Sequence, residues 1–143
     1  MASLIATGCT YNERKALRSY ETQVESIHPT VDELRRNQAR IADRGTPEKI
    51  RSYVSSEILP HAHHVTQSLR EIRTHHPELA RLHQEWLALW IDYEEQFEIF
   101  VEDLDEHSLS EKERRLGIAL EQITERMRSW QNRLQEIHDQ HKG

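Results

Sequence analysis

From Tyr11 to Arg44, apolar side chains recur at Leu17, Tyr20, Val24, Ile27, Val31, Leu34 and Ile41, with Gln38 in the one polar slot. The intervals alternate three and four, which is the seam of a helix that buries a single stripe. A chain committed to this period over so many turns cannot alternate faces as a strand would. Pro29 falls inside the run without breaking its phase, so the spacing predicts one long helix kinked there rather than two.

The rest of the chain repeats the theme. Gly45 closes the first helix, and Thr46-Pro47 supplies an N-cap and a first-turn proline for a second. Ile50, Val54, Ile58, Ala62, Val65, Leu69 and Ile72 mark its stripe, running to about His75 and kinked at Pro60. Pro77 opens a third helix with Leu79, Leu82, Trp86, Leu89, Trp90, Tyr93, Phe97, Phe100 and Leu104 inward. Ser108 or Ser110 caps a fourth, whose seam is Leu116, Leu120, Ile123, Met127, Trp130, Leu134 and Ile137. Four helices of about 30 residues, each ~45 Å long, joined by short turns, make an all-α, antiparallel up-down-up-down bundle. The competing arrangement pairs longer hairpins between two chains, since such seams also dimerise.

Composition fits this. The 143 residues are a one-domain length, and four glycines and four prolines are too few for the turns of an all-β fold. A formal net charge of −6 argues against nucleic acid as a partner. Arg35, Arg36, Arg40 and Arg44 form a basic stretch, but acids are mixed among them. No apolar run approaches the ~18 residues of a membrane span.

The lone cysteine stands at the end of Leu4-Ile5-Ala6-Thr7-Gly8-Cys9. A short apolar run, a small residue, glycine and cysteine resemble the processing site of bacterial lipoproteins. Ala6 occupies the position, three before the cysteine, where such sites favour leucine. The resemblance implies that residues 1–10 are the remnant of a signal peptide and a tether, with lipid on Cys9 and the bundle spanning 11–143. Thr10, rather than an aspartate, implies sorting to the outer membrane. Met1 to Cys9 is too short for a whole signal peptide. Either the chain starts inside a longer one, or this is an ordinary N-terminus of a cytoplasmic protein.

Two further groups of residues carry chemistry. Folding about Gly45 brings Pro29 and Pro60 to one height, with His28, His61, His63 and His64 beside them. Glu57, His61 and His64 share a helical face, so His28, Glu57, His61 and His64 are candidate ligands for zinc, nickel or copper. The same arithmetic places Trp90, Glu94 and Glu121 nearby. His75, His76, His138 and His141 gather at the end that carries Cys9. Residues 77–107 hold ten acids and one basic residue, Arg81. Glu94, Glu95, Glu98, Glu102 and Asp103 are the candidate acidic face for a basic partner or a divalent cation. The competing expectation is that Lys112, Arg114 and Arg115 neutralise Asp103, Asp105 and Glu106 across the hairpin.

No phosphate-binding glycine loop, haem site, calcium loop or nucleophile elbow is present, and no cofactor is implied. The sequence therefore predicts no enzyme. It predicts a lipid-anchored periplasmic bundle that binds or scaffolds an envelope protein; a metal-binding bundle and a cytoplasmic dimerising adaptor are the alternatives.

Overall fold

The computed structural model describes the backbone of residues 2–141 and the side chains of residues 11–141. Among them every regular element is helical. The order is α1 (Ala2–Glu25), α2 (His28–Ala39), a 3-10 turn (Ile41–Arg44), α3 (Pro47–Tyr53), a π-helical segment (Val54–Ile58), α4 (Leu59–Glu71), α5 (Pro77–Val101) and α6 (Leu109–Gln140). Cys9 lies within α1, but its side chain is outside the described residues.

Both prolines act one turn ahead of themselves. Pro29 sits in the first turn of α2, and just before it the chain makes a turn at Ser26 and Ile27, where Ile27 N–H reaches only three residues back, to Val24 O. Pro60 has no N–H to offer and its ring would crowd the carbonyl four residues back. The helix answers by widening over Val54–Ile58, where Leu59 N–H reaches back to Val54 O instead of the usual fourth carbonyl. Thr46 caps α3, its hydroxyl accepting from Lys49 N–H, and Gly45 takes a positive φ of 83° to turn the corner.

The second rod ends earlier than its periodicity predicts. α4 stops at Glu71, and residues 72–76 run extended to α5. Gln23 of α1 pairs with this segment as a strand would, donating to Arg73 O and accepting from Arg73 N–H. His76 caps α5, its Nδ1 accepting from Leu79 N–H. His75 therefore lies beyond the helix rather than in its last turn.

One continuous core runs through the molecule, from Leu17 and Tyr20 to Trp130 and Ile137. Its centre is aromatic. Trp86 stacks on Trp130 with ring centroids 4.0 Å apart, and Trp86, Trp90, Tyr93 and Phe97 continue in edge and tilted contacts along α5. Trp130 Nε1 donates to Leu82 O at 2.6 Å, which fixes α6 against α5. Gln38, the polar residue of the first seam, accepts a hydrogen bond from Tyr93 Oη at 2.6 Å. The polar slot is thus a matched partner for a buried tyrosine.

Candidate functional site

His28, Glu57, His61 and His64 are not brought together. His61 Nε2 lies 3.4 Å from Glu33 Oε1, while its Nδ1 is buried without a partner. His64 and Glu57 are exposed, and His28 borders a different groove, between α1 and α6. Among the described residues no three His, Cys, Asp or Glu side chains converge as a metal site requires. The physical reason is the seam itself: these residues flank the buried stripe, so the core holds them apart.

The acidic group divides. Glu94 turns toward α4, where Oε1 meets His63 Nδ1 at 3.2 Å and Oε2 accepts from Thr66 Oγ1 at 3.4 Å. Glu95, Glu98, Glu102 and Asp103 stay exposed. Neutralisation across the α5–α6 turn takes another form than expected. Arg114 and Arg115 both hold Glu111 on their own helix, drawing its carboxyl down to about 2. Only Lys112 crosses, and its ammonium donates to the carbonyls of Ile99 and Glu102 at the open end of α5. Asp105 and Ser108 close the turn reciprocally, each side chain accepting from the other's N–H. Asp103 adopts a positive φ of 52° there.

Histidines at the α6 end do converge, and on carboxylates of α1. His138 Nδ1 lies 3.0 Å from Glu21 Oε1. His141 and His76 flank Glu13 at 3.5 and 3.8 Å. They tie α6 and the 72–76 segment to α1.

The most organised polar group was not singled out from the sequence. His83, 5% exposed, spans three elements. Its Nε2 lies 2.7 Å from Leu69 O, near the end of α4, and its Nδ1 lies 3.0 Å from Tyr20 Oη. A carbonyl only accepts, so Nε2 carries the proton and Tyr20 donates to Nδ1. Burial lowers the imidazole's pKa; the Leu69 contact opposes this and Arg73 adds to it. Burial likewise raises the phenol of Tyr20. Both ring nitrogens are engaged, so the group ties α1, α4 and α5 together.

Beside it opens a groove with an aromatic floor. Trp86, Trp130, Val24 and Leu134 floor a cavity of about 230 Å³ between α1 and α6, and Glu21, Glu25, His28 and His138 border it. Small-molecule and peptide sites commonly combine such an apolar floor with a few polar groups at the edge.

No protein-family model, curated protein or solved structure matches this chain.

Proposed function

We propose that the chain is a lipid-anchored binding or scaffolding protein of the bacterial periplasm, held to the outer membrane through Cys9. The observation that carries the anchor is the run Leu4-Ile5-Ala6-Thr7-Gly8-Cys9. Among the described residues no helix is long and apolar enough to cross a membrane, so attachment on this reading falls to the lipid.

The proposed body, residues 11–143, is an antiparallel up-down-up-down bundle. Its support is the order of cross-helix contacts. Gln23, Glu33 and Asn37 meet Arg73, His61 and Glu57; His63 and Leu69 meet Glu94 and His83; Asp92 and Glu85 meet Arg126 and Arg133. In each pair of rods one set of numbers rises as the other falls. Tyr20 against Trp130 and Glu21 against His138 close the ring. The groove on Trp86 and Trp130 is then the surface for an envelope partner, with no catalysis required of it.

The experiment is the intact mass of the protein expressed from its native upstream codons in a lipoprotein-processing bacterium. A chain beginning at Cys9 and carrying diacylglycerol and an acyl group is the expected result, with membrane fractionation lost in Cys9→Ala. An unmodified chain beginning at Met1 or Ala2 overturns the anchor. It would favour the second reading, a cytoplasmic self-associating adaptor. Exposed Ile91, Ile99 and Ile118 on α5 and α6 support that alternative, and a concentration-dependent mass tests it.

A further inference from the structure

The concave surface at the α2–α3 corner is chemically unlike the rest of this acidic protein. A cavity of about 490 Å³ opens there. Arg40 and Arg44 enter it from the end of α2 and the 3-10 turn, Lys49 from α3, and Ser52 and Ser56 bring hydroxyls from the facing wall. Glu57 is the only carboxylate in the lining, so three cations stand against one anion on a chain of formal net charge −6. Among the described residues none of the three cations is paired with a carboxylate. Asp43 and Glu48, their neighbours in sequence, do not line the cavity.

Arg44 is held in place on the ring of Tyr53. Its guanidinium carbon sits 4.0 Å from the centre of the Tyr53 ring, and its Nε is buried without a hydrogen-bond partner. The ring is fixed in turn, Tyr53 Oη donating to Asn37 O at 2.9 Å. Asn37 Nδ2 donates to Glu57 O at 3.0 Å, tying α2 to the π-helical segment. A held guanidinium, a second arginine, a lysine and two hydroxyls converge on one space. A surface with no ligand would gain nothing by bringing these like charges together, since their mutual repulsion opposes folding.

We propose that this cavity binds a phosphate-bearing ligand of phosphomonoester or pyrophosphate size. A carboxylate would bring one charge and two oxygens to a site with three cations. A dianion with three or more oxygens matches both the excess charge and the number of donors. The depression is open to solvent and leaves room for a second phosphate or a short ester. The phosphate is either free in solution or the headgroup of a lipid, and nothing in this inference depends on the anchor at Cys9.

Calorimetry with inorganic pyrophosphate tests it. The expected result is binding tighter than about 1 mM in the intact protein. Arg40→Gln combined with Lys49→Gln, both exposed positions, should weaken binding about tenfold or more, with the circular dichroism unchanged and the melting temperature equal to or above that of the parent. Glu57→Gln should tighten binding a few-fold by removing the one opposing charge, roughly as expected for a near neighbour. Sedimentation of the unlipidated Cys9→Ala protein with phosphatidic acid vesicles, whose headgroup is a phosphomonoester, against phosphatidylcholine vesicles, distinguishes the source. Pyrophosphate binding without vesicle binding assigns a free phosphate ligand; vesicle binding that pyrophosphate displaces assigns a lipid headgroup. No pyrophosphate binding, or binding indifferent to the double substitution, overturns the proposal.

Discussion

Tyr20 and His83 show how one polar pair can govern a helical core. A buried hydrogen bond contributes modestly when made but costs about 1–3 kcal/mol when one partner is left unmatched. Tyr20→Phe removes the donor and leaves His83 Nδ1 buried without one, so urea unfolding should show a loss in that range. The pH dependence has a definite sign. The folded imidazole is held below its ordinary 6.5, so the unfolded chain takes up a proton that the folded one resists. The stability that rests on neutral His83 is present above about pH 6.5 and is lost as the pH falls below it. His83→Gln keeps polar contacts but does not titrate. The excess stability of the parent over this variant should therefore shrink between about pH 8 and pH 5.5; an excess constant across that range would disprove the assignment. The pair was legible in part. His83 stands four residues after Leu79 and three before Trp86, inside the buried stripe. What the spacing does not carry is its partners, because Tyr20 and Leu69 meet it only once three helices are assembled.

At the level of elements, the π-helical segment had a signature in plain view. The second stripe runs Ile50, Val54, Ile58, Ala62, with three intervals of four in succession. On an α-helix that run drifts about 120° around the axis, which would carry Ala62 off the face that Ile50 occupies. All four are nonetheless fully buried, because the wide turn takes up one extra residue and resets the phase. The sequence told of a kink at Pro60, but a proline marks only that a hydrogen bond is missing and not how the helix repairs itself. Deleting the exposed Ser55 would convert the stripe to alternating fours and threes. Combined with Pro60→Ala, which lifts the clash, that deletion should fold cooperatively with a melting temperature within a few degrees of the parent. Ser55 deletion with Pro60 retained should lose about 3 kcal/mol, the usual penalty of an interior proline. If the double variant also collapses, the extra residue has a role beyond phase.

Across the whole molecule, burial is unequal. α5 sends nine residues into the core, whereas α1 supplies Leu17, Tyr20 and Val24 among its described side chains. α1 depends as well on surface contacts, Gln23 with Arg73 and Glu13 and Glu21 with histidines, and exposed ion pairs contribute about 0–1 kcal/mol each. Hydrogen exchange should accordingly release the amides of residues 11–25 first and those of α5 last, through partial opening rather than global unfolding. Equal protection in both would contradict this ranking. The all-helical nature of the chain was readable because heptad spacing is local and repeats over many turns. The candidate ligand groups were less so, since a seam lists what points inward and leaves open which flanking histidines, acids and arginines meet across a corner. Arg40 and Arg44 stood out as a basic stretch, while Lys49 belongs with them only after the chain has turned at Gly45. The stacked pair of indoles has a consequence outside mechanics. Two chromophores whose centroids are 4.0 Å apart share their electronic excitation. Trp86 and Trp130 should imprint a paired positive and negative band on the far-ultraviolet dichroism, an optical watermark of α5 seated on α6.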